Sequence, residues 1–374
     1  MNRGVYKGFQ EHTKGFHPVS CAIESEKSIY IVFEKNVVDE GEELRSMVAF
    51  YRPEMERVWG AKGYEHCYRE KSCILPQSDT PFLVVDWQGK VIVKTQPDEP
   101  SKRPEFTIEE TIPIARNCPI MQLRNIAGSA YAAAHWRTVF RRDGPNEWTC
   151  LRGNDQEEIE ELKKNNREYG FNDIGGYAED DIYACGGDGD LMHYDGKAWQ
   201  QLYCPTNEEL LSICCAPDGK VYIGGQRGTL VVGRNDQWEV LKSKAPEEIN
   251  DLAWYKDRLY MTCRTYGINE LYEDQIRTTP GTSGMGQVVK PERLSEGNRR
   301  ALKEAGADEA SIDLVDILDV PTSTVLAPAS AHTLATNGEI LLAAGANRVV
   351  AFDGQGWQVL FSPFPTEIGG CLEF

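Results

Sequence analysis

The stretch IYACGGDGDLMHYDGKAWQQL, Ile182 to Leu202, lies on VYIGGQRGTLVVGRNDQWEVL, Val221 to Leu241, without a gap. The shift is 39 residues; it carries Tyr183, Gly186, Gly189, Leu191, Trp199 and Leu202 onto Tyr222, Gly225, Gly228, Leu230, Trp238 and Leu241. A third copy, ILLAAGANRVVAFDGQGWQVL (Ile340 to Leu360), follows at a shift of 119, with Trp357 on Trp238 and Leu360 on Leu241. Because 119 is about three times 40, the unit has the length of one four-stranded propeller blade.

Working outward, Leu259 to Ile276 keeps the pattern with Ile276 in the Trp position, and Ala130 to Leu151 keeps it with one inserted residue that brings Trp148 into line. Two degenerate units precede these: Ser20 to Gly60, centred on SIYIVFEKN and SMVAFY, and Pro81 to Ile112, centred on FLVVDWQGKVIVK. Within one unit, Tyr222-Ile223 belongs to an apolar strand too short for a helix, and Gly224-Gly225 lets backbone pass close to its neighbours. Gly228 permits a positive φ in the turn into Thr229 to Val232. A polar turn follows, and the Trp then opens an outer strand that packs between blades. One such sheet cannot bury both faces, so several must stack around a ring.

The chain is therefore expected to be an all-β, single-domain β-propeller over 1–374, with seven blades as the count and six or eight as the alternatives. The candidate blades are 20–60, 81–112, 121–151, 172–202, 211–241, 250–279 and 330–362. Two insertions, 152–170 and 280–328, break the period. The first contains a helix candidate, Asn154 to Tyr169, with Asn154 as its cap, acids in its first turns and Lys163-Lys164 near its end. The second opens with GTSGMGQ after Pro280 and contains a helix candidate at Pro291 to Ala305. Both are expected to project from a rim. Cys371 to Phe374 is short for a strand that would complete a blade and close the ring.

Gly-x-x-Gly-x-Leu followed by Asp-Gly-x-x-Trp resembles bacterial β-propeller repeats of the WD40-like and Asp-box-like kinds, over about Met121 to Leu360. The chain lacks the Gly-His start and Trp-Asp end of WD40 repeats, and of the Asp box it keeps only Asp-Gly-x-x-Trp, at Asp195 and Asp353. The resemblance implies a fold and little about activity.

Candidate chemistry is weak throughout. The Gly186 to Gly189 and Gly281 to Gly286 runs have neither a P-loop pattern nor a strand–Gly-x-Gly-x-x-Gly–helix context. Asp188, Asp190 and Asp195 lack the spacing and the terminal Glu of a calcium loop. The six histidines form no H-E-x-x-H and no close pair, with His12-x4-His17 the one loose alternative, and His193, equivalent to Val232, reads as a packed residue. Cys67-x5-Cys73 beside His66 has no second ligand pair at usual spacing. Asp-box propellers include sialidases, but the nearest match to their arginine segment is Tyr51-Arg52-Pro53, without the Ile. No catalytic residue, metal or cofactor is assigned.

The sequence carries 40 Lys+Arg against 58 Asp+Glu, a formal charge of −18. Such a field repels nucleic acid and anionic membrane and attracts a basic partner. Eleven cysteines, an odd number with no C-x-x-C pair, read as buried thiols in a reducing compartment. Met1 to Phe16 has no apolar run of secretory length and no 18-residue apolar span occurs, so the expectation is a cytoplasmic protein. Three acidic clusters are the candidate partner-binding residues: Asp39, Glu40, Glu42 and Glu43; Glu157, Glu158, Glu160 and Glu161; Glu179, Asp180 and Asp181. Taken singly, each is a solvated loop or helix face.

An acidic propeller with irregular inserted loops is similar to the immunity proteins that bacteria keep against secreted antibacterial toxins. That resemblance implies a non-enzymatic antitoxin that binds a cognate basic toxin, nucleases being one such class. The alternatives are a propeller enzyme, such as a glycoside hydrolase or lyase with a polar central pocket, and a general assembly scaffold.

Overall fold

The chain folds as a seven-bladed β-propeller with a single described helix. The computed structural model describes residues 13, 15–25, 28–35, 45–51, 59–65, 67–95, 105–109, 111–164, 170–245, 247–263, 267–279, 331–345 and 348–361. Seven four-stranded antiparallel sheets follow one another around a ring. Blade 1 holds β1 (Phe16–Ser25), β2 (Ser28–Lys35), β3 (Arg45–Tyr51) and β4 (Trp59–Glu65). Blade 2 holds β5 (Lys71–Ile74), β6 (Phe82–Val85), β7 (Val91–Thr95) and β8 (Glu105–Ile108). Blade 3 holds β9 (Ile120–Ile126), β10 (Ser129–Ala134), β11 (Thr138–Gly144) and β12 (Glu147–Arg152). Blade 4 holds β13 (Phe171–Ala178), β14 (Asp181–Gly186), β15 (Leu191–Tyr194) and β16 (Trp199–Gln201). Blade 5 holds β17 (Leu210–Cys215), β18 (Val221–Gly225), β19 (Leu230–Arg234) and β20 (Gln237–Val240). Blade 6 holds β21 (Ile249–Tyr255), β22 (Arg258–Cys263), β23 (Gly267–Tyr272) and β24 (Gln275–Thr278). Blade 7 holds β25 (Ala331–Thr336), β26 (Leu341–Gly345), β27 (Arg348–Phe352) and β28 (Trp357–Phe361).

The second blade begins ten residues before the 81–112 unit suggests, because its inner strand is only Lys71–Ile74 and shows no apolar alternation. The first blade extends beyond 20–60 at both ends. The 280–328 insertion, with its helix candidate, lies outside the described residues, as do His66, Arg52 and Cys371.

Outer-strand aromatics join neighbouring blades. Trp238 meets Tyr183 of blade 4 at 5.8 Å, and Trp357 stacks on Phe352 at 4.7 Å within a cluster that includes Tyr255 and Tyr260 of blade 6. Trp199 stacks on Phe171 and Tyr194 beside blade 3 residues such as Ile126. The repeat glycines do equally local work. A side chain at Gly186 would sit on the Gly170 carbonyl, as one at Gly225 would approach that of Glu209. Gly228, at φ +69°, closes a short 3-10 turn against the Ala245 carbonyl, and Gly189 repeats this in blade 4.

The ring closes without exchanging a strand among the described residues: blade 1 and blade 7 each take all four strands from their own end of the chain. Closure is apolar. Ile31, Phe33, Met47 and Trp59 of blade 1 share one buried cluster with Leu342, Val349, Leu360 and Phe361 of blade 7. The Phe33 and Phe361 rings meet edge to face at 5.0 Å. Each such side chain contributes about 1.5–3 kcal/mol by leaving water.

In a meandering blade, the links between blades and the second-to-third-strand turns fall on one end of the ring, here called the linker rim. First-to-second and third-to-fourth-strand turns fall on the other, the hairpin rim.

Candidate functional site

The innermost strands line a central channel. In blades 1, 3, 4, 5, 6 and 7 the pairing of the inner strand slips by one residue, just before Ser20, Gln122, Asp173, Ser212, Asp251 and Thr333. Such a bulge re-aims the following side chain. Ser20 Oγ accepts the Ser72 N–H of the next blade at 3.1 Å, Asp173 accepts that of Ile213 at 2.9 Å, and Asp251 that of Leu334 at 2.8 Å. Polar side chains thus stitch blades 1, 4 and 6 to their successors.

Arg124, on β9, crosses this belt. Its Nε and Nη2 donate to the two Asp173 oxygens at 2.9 and 2.7 Å, and Nη2 also donates to Asp251 at 2.7 Å. One guanidinium from blade 3 therefore ties blade 4 to blade 6. Burial pushes the Asp173 carboxyl up, while Arg124 pulls it back. The two carboxylates hold the guanidinium well above its ordinary value despite burial. Both carboxylates are fully engaged: Asp173 also accepts the Ile174 N–H, and Asp251 the Leu252 N–H and the Thr333 hydroxyl. Lys71, on β5, feels Asp251, Arg124 and Asp173 through space, and burial holds its ammonium below the usual lysine range. Arg124, Asp173 and Asp251 are thus spent on one another and on backbone N–H groups.

The inserted helix α1 (Gln156–Lys164) sits on the linker rim between blades 3 and 4. It is shorter than the Asn154 to Tyr169 candidate, whose last five residues lie outside the described ones. Its cap is Asp155, whose Oδ1 accepts the Glu157 N–H at 2.8 Å. Asn154 instead adopts φ +63°, accepts the Ala115 N–H and donates to the Pro113 carbonyl at 2.9 Å, pinning the entry to blade 3. Ile159 is buried against blades 2 and 3, and Lys163 lies over the Trp136 ring while pairing with Glu160 at 2.9 Å. Glu157, Glu160 and Glu161 are exposed; Glu158 belongs to the same helix.

The acidic clusters do not share one face. Asp39, Glu40, Glu42 and Glu43 lie outside the described residues, in the stretch joining β2 to β3. Glu179 and Asp180 are the exposed two-residue turn between β13 and β14, on the hairpin rim, opposite α1. Asp181 is engaged internally, accepting Arg234 at 2.6 Å and meeting His193 Nε2 at 2.9 Å. His193 itself lies on the Tyr183 ring at 4.6 Å, as a packed strand residue.

The three calcium-like aspartates are divided among separate tasks. Asp188 takes φ +54° in a turn, Asp190 receives both arms of Arg137 at 2.7 Å, and Asp195 caps its own turn through the Lys197 and Ala198 N–H groups. Among the described residues, no group of three or more His, Cys, Asp or Glu could hold a metal ion. Cys67 and Cys73 are buried, with thiols pushed up to about 11 and about 12 by burial. Among the described residues, no helix is long and apolar enough to cross a membrane.

Sequence reasoning passed over Arg124, Asp173 and Asp251. A signal existed: Phe171-Asn172-Asp173-Ile174 recurs as Ile249-Asn250-Asp251-Leu252 two repeats later.

Known proteins can be set beside this geometry. No protein-family model matches the chain. The Immune protein Tsi7 of Pseudomonas aeruginosa is 41% identical over 141 residues, covering 37% of this chain and 45% of that protein. This chain is a β-propeller similar to a bacterial immune protein. It matches less than half the length of that relative. Among solved structures, the propeller resembles Saccharomyces cerevisiae Sqt1, with a TM-score of 0.53 and 12% identity over 93% of this chain and 85% of that one. It also resembles the WD40 β-propeller domain of Doa1, with a TM-score of 0.56 and 8% identity over 91% and 93% of the two chains. At those identities the likeness concerns the fold alone.

Proposed function

We propose that this propeller is a non-enzymatic immunity protein, which binds a cognate basic antibacterial toxin in the cytoplasm and neutralises it. The observation that carries the reading is the likeness to Tsi7. The charge of −18 supports it physically, because an acidic surface accelerates docking of a basic partner and disfavours nucleic acid and anionic membrane. A nuclease is the first class of toxin to test, since it must be basic to grip phosphates. The inhibitor would present carboxylates where those phosphates sit, through an interface of about 1,600 Å² or more. The linker rim is the face assigned to this contact. It carries Glu157, Glu160 and Glu161 on α1, and β2 ends and β3 begins on it, the two strands that flank Asp39, Glu40, Glu42 and Glu43 in the sequence. Glu179 and Asp180 stand on the far rim and are assigned no share of it.

Affinity purification from the native cell with mass spectrometry tests this reading. The expected result is one stoichiometric basic partner whose toxicity the propeller suppresses and whose association slows with salt. Several substoichiometric partners would point to an assembly scaffold. A turnover-dependent small-molecule substrate would point to an enzyme.

A further inference from the structure

The seam between blades 1 and 2 concentrates buried polar atoms that lack a partner: His17 Nδ1, the Tyr64 hydroxyl, Asp86 Oδ2 and both carboxylate oxygens of Glu70. A row of cross-strand neighbours in blade 1 runs His17, Glu34, Ser46, Tyr64. Tyr64 packs with Cys67, Phe82 and Val84, so the row faces blade 2. Glu70, in the link that enters β5, closes against it, and its N–H donates to Glu34 Oε1 at 3.2 Å. Both glutamates are buried.

Ionised carboxylates only accept hydrogen bonds, so two that face each other offer nothing until one carries a proton. Buried groups of this kind call for an occupant. The surrounding charges do not supply one. Lys71 feels Asp251 and Arg124 before Glu34, and Glu34 only through space; Lys90 and Asp86 act on the neighbouring Cys67 thiol; Asp86 Oδ1 is spent on the Gln88 and Lys90 N–H groups. Tyr64 is held protonated by burial. Neither Glu34 nor Glu70 has an ion pair among the described residues.

We infer that Glu70 is protonated in the folded chain and donates to Glu34, and that this carboxyl pair makes the blade 1–blade 2 seam a pH-sensitive joint. With the proton on Glu70, its O–H donates to Glu34 while its N–H holds the same carboxylate. When the proton leaves, two buried anions face each other. Burial first, and then Glu34, push the Glu70 carboxyl up to about 9, with the Ser46 hydroxyl opposing. An unfolded glutamate releases its proton near about 4.3. Between those values the folded chain binds the extra proton, so the pair's contribution is complete at acid pH and is lost as pH rises.

The test is thermal unfolding of the full chain from pH 6 to 9, for wild type, Glu70→Gln and Glu34→Gln. Wild type is expected to lose midpoint temperature steadily relative to Glu70→Gln, and its unfolding to release about one proton more at pH 7. Infrared spectra should show a protonated carboxyl band in folded wild type at pH 7 that Glu70→Gln lacks. That band can be sought in wild type alone if the variants fail to fold. Parallel pH profiles or an absent band would overturn the inference. So would stabilisation of wild type, but not Glu70→Gln, by calcium or potassium at pH 8, because a cation would then occupy the pair.

Discussion

The two rims of this ring are built to different standards. On the hairpin rim, Ala127-Gly128, Lys256-Asp257 and Glu273-Asp274 are two-residue turns with both residues at positive φ, the geometry that matches strand twist most tightly. The linker rim has such a pair at Trp136-Arg137, and carries α1 and the link at 67–70 with its buried Glu70. The blades close on each other through the inner belt, the outer aromatics and the seam cores. Additions at the linker rim therefore cost the ring little, and variation for binding can collect there.

That comparison breaks if the ring depends on either rim more than on its middle. Arg124→Ala should have the largest effect, about 3–5 kcal/mol by urea denaturation, because it strands two buried carboxylates from different blades. A loss under about 1 kcal/mol would mean that backbone N–H groups alone satisfy Asp173 and Asp251. A pair of glycines sharpens the contrast. Gly228→Ala, where a side chain would meet the Ala245 carbonyl, should cost about 2–3 kcal/mol. Gly128→Ala, on the hairpin rim with nothing within 4 Å, should cost about 1 kcal/mol from its positive φ alone. Equal losses would erase the distinction between a turn at a blade crossing and a turn in solvent. Asp155→Ala should cost about 1 kcal/mol, seen as faster amide exchange confined to α1. Glu161→Gln should leave stability within about 0.5 kcal/mol.

Legibility in the sequence followed the same division. The Trp that opens an outer strand recurs at Trp199, Trp238 and Trp357 because each fills the same interblade wedge, so the fold could be counted from it. Blade 2 was counted without its inner strand because that strand is four residues with no apolar alternation, and Phe106 takes the place of a Trp in its outer strand. The site was less legible than the fold. Asp173 and Asp251 are marked by a repeated Asn-Asp, but Arg124 has no counterpart in either sister blade. A contact between blades 3, 4 and 6 exists only once the ring is closed. The Asn154 cap misled for a related reason: either of two adjacent residues could cap α1, and packing against 113–115 claimed the first. Acidic clusters are plain in composition, yet their rim depends on strand direction, which composition does not carry.

The most direct test is the association rate of the co-purified partner, measured against ionic strength for two neutralised variants. One replaces Glu157, Glu160 and Glu161 with Gln on α1; the other carries Glu179→Gln and Asp180→Asn on the opposite rim. The α1 variant should associate roughly tenfold more slowly at low salt with a flatter salt dependence, while the other matches wild type. Slowing confined to the Glu179/Asp180 variant, or none in either, would contradict docking on the linker rim.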